Sequence, residues 1–194
     1  MSKYSRRIIL SGILAGTIGL AACSNGVGTS APDNIDARVT AALDFLYSNY
    51  PGTQDLRDKS AGMLVMPVVT EAGFGLGGSY GRGALRVADA TVDYYSATQA
   101  SFGLQIGAQQ YSHVLFFMTQ EALQDFRTSP GWTAGAELEY AFRDQAENIS
   151  AKTLTATSPV IAVVFAQTGA IAGATVEGTK YTRIIPGQGL IPGL

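Results

Sequence analysis

The chain has 194 residues, with 13 basic and 15 acidic side chains, one histidine and one cysteine. That length supports one domain with a core. A slightly acidic balance argues against nucleic acid as a partner, a single cysteine forbids an internal disulfide, and one histidine leaves little for a metal site.

The first 22 residues read as an export leader. "MSKYSRR" supplies Lys3, Arg6 and Arg7, and the apolar run "IILSGILAGTIGLAA" follows. At about 15 residues this run is shorter than the ~20 a membrane span needs. It ends in "LAAC", the pattern of a bacterial lipobox, so Cys23 is the expected lipid anchor. Arg6 and Arg7 read as part of a charged start rather than as a twin-arginine signal. Removing the leader leaves 10 basic and 15 acidic side chains, a net charge of −5. Residues 23–32 are then the lipidated cysteine and a polar, flexible tether. Ser24 after the cysteine lacks the aspartate associated with inner-membrane retention. The expected location is therefore the cell envelope, on the periplasmic face of the outer membrane.

The domain is expected over 33–186, with a loose tail at 187–194. "DNIDARVTAALDFLYSNYPG" places Ile35, Val39, Leu43, Leu46 and Tyr50 at helical spacing. Asp33 is the expected cap, and Pro51-Gly52 ends the helix. "TQDLRDKSA" predicts a short second helix, and "TQEALQDFRTSPGW" a third. The remainder, from Gly62 on, is about ten short apolar or alternating runs separated by turn residues. The class is α+β, mostly antiparallel, with two or three helices; the spacings are too short for parallel crossovers. Glycines recur on alternate positions, as at Gly73, Gly75, Gly77, Gly81 and Gly83. They predict a strongly curved, barrel-like sheet in which another element approaches the glycine face.

Two catalytic patterns overlap in "AGFGLGGSYGRGALRV". Gly73, Gly75 and Gly78 fit a dinucleotide loop, but that loop must open a helix, and "SYGRGALRV" alternates like a strand. Gly77, Ser79 and Gly81 fit a nucleophile elbow. Asp89 or Asp93 and then His113 follow in hydrolase order, but the elbow also needs a helix after the serine. The glycines are read as backbone shape. No catalytic residue, metal or cofactor is expected. Tyr94, Tyr95, Phe102, Tyr111, Phe116, Phe117 and Trp132 are read as core.

Several blocks together resemble the SYLF domain, also called the Ysc84 actin-binding domain. They are "GMLVMPVVTEAGFGLGGSYGRGALRV", "YYSATQASFGLQIGAQ", "LFFMTQEAL" and "VVFAQTGAIAGATVEGTKYTRI". The resemblance spans about residues 35–186. It implies a many-stranded barrel-like domain without enzymatic activity that binds phosphoinositides or other anionic phospholipids. Bacterial members are often exported lipoproteins, and the actin binding of eukaryotic members is not carried over. The resemblance implies a role for an N-terminal amphipathic helix, here Ile35 to Tyr50, and for basic residues. Arg82, Arg86, Lys180 and Arg183 are the candidates for the head group. The expected partners are anionic phospholipid and the membrane reached through Cys23; the protein partner is unknown. A second reading is an envelope module that binds protein or serves structure without lipid selectivity. The third is a small serine hydrolase.

Overall fold

The computed structural model describes residues 31–135, 139–141, 158–169 and 175–187, with side chains described except at 75, 101–106 and 139–141. The leader, Cys23, the strand expected at "ISAKTLTA", most of "AIAGATVEG" and the tail beyond Gly187 lie outside the described residues.

All three predicted helices are present: α1 (Pro32–Asn49), α2 (Thr53–Lys59) and α3 (Gln120–Thr128). The cap of α1 differs from expectation. Ala31 occupies the cap position and Pro32 follows inside the first turn, so Asp33 is helical and acts only as a first-turn acid. Thr119 caps α3, its hydroxyl accepting from the Ala122 N–H at 3.1 Å.

Among the described residues the strands are longer than the sequence suggests. The runs from Gly62 to Val87 form one strand, β1, and those from Ala90 to Phe117 form β2. Short strands β3 (Trp132–Thr133), β4 (Glu139–Ala141), β5 (Val160–Gly169) and β6 (Lys180–Ile184) complete the described sheet. The path is β3-β6-β2-β5-β4, with β1 on β2; only β4 and β5 run parallel. Among the described residues nothing joins β3 to β4, so the described sheet is curved and open there, and "barrel-like" fits it only loosely. The joint between β1 and β2 is a two-residue turn, Ala88-Asp89, with φ of 49° and 64°. Positive φ at both positions is the geometry whose twist matches antiparallel strands.

Glycines and proline bend these strands instead of ending them. Pro67 and Val68 form a bulge opposite Ser112, whose hydroxyl donates to the Pro67 carbonyl at 2.6 Å. A second irregularity falls at Gly75. The chain reverses tightly there: a Cβ on Gly73 would lie 2.7 Å from the Gly77 Cα. β1 therefore doubles back, and its two arms lie against each other. A Cβ on Gly83 would sit 1.9 Å from the Val65 carbonyl oxygen, and one on Gly81 2.9 Å from that of Val68. The element that the glycine face admits is the other arm of the same strand.

Two cores result from strand alternation. The inner one holds Leu64, Met66, Leu85, Tyr95, Tyr111, Leu115 and Phe117, closed by Leu123 and Phe126 of α3. The outer one packs Ile35, Val39, Leu43 and Leu46 of α1 and Leu56 of α2 on Val65, Ala84, Val114, Phe116 and Val163. Of the aromatics read as core, Tyr95, Tyr111, Phe116 and Phe117 are fully buried and Tyr94 and Trp132 half-buried; the Phe102 side chain is outside the description.

Candidate functional site

The doubling-back of β1 leaves a groove beside the start of α1. Pro67, Val68 and Thr70 come from one arm, Tyr80, Gly81 and Arg82 from the other, and Asn34, Ile35 and Arg38 from α1. Its volume is about 350 Å³. The bulge at Pro67 turns Val68 outward, and Gly81 lets the second arm sit close enough to form the floor.

α1 is held over the sheet by polar contacts as well as by its apolar face. Asp36 accepts from the Tyr94 hydroxyl at 2.8 Å and from the Thr91 hydroxyl at 2.9 Å. Burial, with this hydrogen bond second, pushes the Tyr94 hydroxyl up to about 12, so it stays a donor at neutral pH. Arg86 donates to the Thr40 hydroxyl at 3.0 Å. These contacts place Arg38 at the groove. Arg82 is half-buried, and its Nε donates to the Tyr80 hydroxyl at 2.5 Å, with the guanidinium 5.5 Å from that ring's centre. Two arginines thus line the groove, and none of the described lining residues is a carboxylate. That arrangement suits an anion with several oxygen acceptors.

The four basic residues singled out from sequence do not form one cluster. Arg82 and Arg86 would share a face of β1 by spacing alone; a register irregularity falls between Leu85 and Arg86, and it is the contacts with α1 that put both on its side of the strand. Arg86 lines a separate hollow of about 220 Å³ with Arg57, Asp58 and Asp89. Lys180 and Arg183 are three residues apart on β6 and so point to opposite faces. Lys180 is exposed, its stem beside Gly131. Arg183 donates to Asp93 at 3.0 Å, and Arg127 of α3 reaches the same carboxylate at 3.6 Å. Neither Arg38 nor Arg127 is among the head-group candidates; in the sequence Arg38 stands between Asp36 and Asp44, charges that together make α1 a poor electrostatic surface for lipid. Arg38 carried a signal, since it lies three residues from Ile35 at the border of the apolar stripe.

The apolar stripe of α1 has a different use from the one expected of a membrane helix. Ile35, Val39, Leu43 and Leu46 are buried on the sheet, and Tyr50 is half-buried. For α1 to meet lipid by this face it would have to leave the outer core.

The residues of the hydrolase pattern are not assembled. Ser79 sits within β1 opposite Gln99, not at a strand-to-helix turn, and its buried Oγ lies near the Tyr111 hydroxyl rather than a base. His113 is fully buried in β2, with Nε2 2.8 Å from the Tyr181 hydroxyl. Burial lowers its pKa to about 3, so the ring is neutral. Asp89 lies in the hairpin turn, and Asp93 is engaged by Arg127 and Arg183.

The fold and groove define a class: an α+β domain with one curved antiparallel sheet, an N-terminal helix packed outside it, and a basic groove where the two meet. Residues 98–183 match the family model described as Ysc84, Las17-binding protein actin regulator. The match covers β2 from Thr98, α3 and β3 to β6, while the groove lies N-terminal to it. No curated protein matches the chain.

Proposed function

We propose that the protein is a lipid-anchored envelope protein whose domain binds the head groups of anionic phospholipids through the groove of Arg38 and Arg82. The observation that carries this reading is the pairing of two arginines with no carboxylate among the described lining residues, in a chain with an acidic balance. Any attraction to an anionic surface must then be local, and this groove is a local positive site. Its volume lies at the lower end of the range for small-ligand sites, enough for a phosphate-bearing head group. The family resemblance supports a lipid-related role, and the L-A-A-C junction supports the anchor at Cys23. No catalytic step is invoked.

Each basic group near an anionic surface contributes ~1 kcal/mol, so two give ~2 kcal/mol, or ~30-fold in affinity. The test is flotation of residues 24–194 with vesicles of phosphatidylglycerol or of phosphatidylcholine. Wild type is expected to float with the first only, and Arg38→Glu with Arg82→Glu to abolish flotation without changing the circular dichroism spectrum. Equal flotation with both vesicle types, or no effect of the substitutions, refutes the reading. The alternative is a protein-interaction module without lipid selectivity, which the family's description as a binder of another protein favours. In that case wild type floats with neither vesicle.

A further inference from the structure

Beyond the groove, β1 carries two large apolar side chains that the fold leaves in solvent. Phe74 is 79% exposed and Leu76 68% exposed. Both lie where the strand reverses between Gly73 and Gly77, so the reversal forces them outward at one end of the domain. Exposed aliphatic and aromatic side chains at a single projecting point mark an interaction site rather than ordinary surface.

Three observations choose the occupant. The first is continuity with the groove. From Leu76 to Arg82 the register with β2 is unbroken, so Leu76, Tyr80 and Arg82 share one face. Thr70 and Tyr80, the groove residues nearest the reversal, stand four residues from Phe74 and Leu76 respectively. The groove therefore runs toward the projecting end, and half-exposed Phe45 and Val68 extend its apolar border along α1.

The second is where the chain enters the domain. α1 starts at Pro32, and its first turns supply Asn34 and Ile35 to the groove. Eight residues separate Cys23 from Pro32, and at ~3.5 Å each these and the flanking bonds reach ~30 Å at most. An anchor at Cys23 therefore leaves the groove end of α1 within ~30 Å of the membrane that holds it, close enough for the groove side to meet its surface. The third is charge. A symmetric pairing of two copies through this surface would set Arg38 and Arg82 of each near their counterparts, whereas a phosphate layer complements them.

We propose that Phe74 and Leu76 form a wedge that enters the interfacial layer of the membrane carrying the anchor, while Arg38 and Arg82 meet its phosphates. This rests on the head-group reading and on the Cys23 anchor. An apolar group seated just below the phosphates, with cations at the phosphate level, is the arrangement by which peripheral proteins hold a bilayer surface.

The experiment uses the lipidated full chain reconstituted into phosphatidylglycerol vesicles, with Phe74→Trp as the probe. Wild type supplies the baseline, since its single tryptophan, Trp132, packs on Phe117, Phe126 and Tyr181. The expected result is emission from the introduced tryptophan that shifts to the blue, is lost when the acyl chains carry bromine, and resists aqueous iodide. Trp132 emission should be blind to bromine, and its iodide quenching, measured in wild type, is subtracted. If the introduced tryptophan stays open to iodide and blind to bromine while the protein remains on the vesicles, the wedge is refuted and the anchor stands. If it resists both quenchers and cross-linking yields dimers, a second copy covers the site, which also refutes the wedge. Failure of the head-group reading looks different: unlipidated residues 24–194 carrying Arg38→Glu and Arg82→Glu then float like wild type, whatever the bromine quenching of the lipidated chain shows.

Discussion

Replacing Gly83 with alanine tests the doubled-back strand directly. The added Cβ would lie 1.9 Å from the Val65 carbonyl oxygen and 2.7 Å from the Met66 sulfur. The methionine can rotate away, but the carbonyl belongs to a strand hydrogen-bonded to β2 over its length. A carbon and a carbonyl oxygen approach to ~3.3 Å at closest, so the arms must part by more than 1 Å. Val65 and Ala84 belong to the outer core, which opens with them. Overpacking of this kind costs ~1–3 kcal/mol, and a backbone obstacle places Gly83→Ala at the upper end. At ~2–4 °C per kcal/mol for a domain of this size, the melting temperature should fall by ~6–12 °C. Gly135→Ala is the control, because nothing lies within 4 Å of a Cβ there. The assay is thermal unfolding followed by circular dichroism at neutral pH. A Gly83→Ala protein that melts with wild type would show that the arms do not meet as described.

Other outcomes follow from the same geometry. His113 is held neutral with a pKa of about 3 against an unfolded value near 6.5, so the unfolded chain gains a proton first as pH falls. Its contribution to stability is complete above pH ~6.5 and is lost toward pH ~3, at ~1.4 kcal/mol per unit; urea midpoints at pH 7 and 5 should differ in wild type and converge in His113→Gln. Leu46→Ala empties a fully buried position between α1 and the sheet and should cost ~2–5 kcal/mol in urea unfolding. If α1 were a detached membrane helix, that loss would be absent. Arg183→Ala removes one exposed partner of Asp93 while Arg127 remains, so stability should change by less than ~1 kcal/mol, and a larger loss would give the pair a structural role. Cys23→Ala should move the protein from the membrane to the soluble fraction on cell fractionation; retention in the membrane would remove the anchor from the proposal.

The helices were legible in the sequence because their information is local. Ile35, Val39, Leu43 and Leu46 recur at the helical period, and the same four side chains are buried. What they are buried against is not local. An amphipathic stripe serves a membrane or a sheet equally well, and only the position of Val65, Val114 and Phe116 beneath α1 decides for the sheet. Antiparallel pairing was legible in the short alternating runs, but their merging into β1 and β2 was not. A glycine ends a strand or bends it according to whether a partner continues the hydrogen-bond ladder, and β2 continues it past Gly73 and Gly81. Strand parity relates Arg82 to Arg86 only up to the irregularity at Leu85, whereas along the regular β6 it separates Lys180 from Arg183. Arg38 and Arg82 stand 44 residues apart, with no shared period to connect them. They line one groove because Pro67 bulges, Gly81 admits the second arm of β1, and Asp36 ties α1 to β2. The bending residues are visible in the chain, but the direction of each bend is set by which distant surface it brings into van der Waals contact, and that only the folded molecule decides.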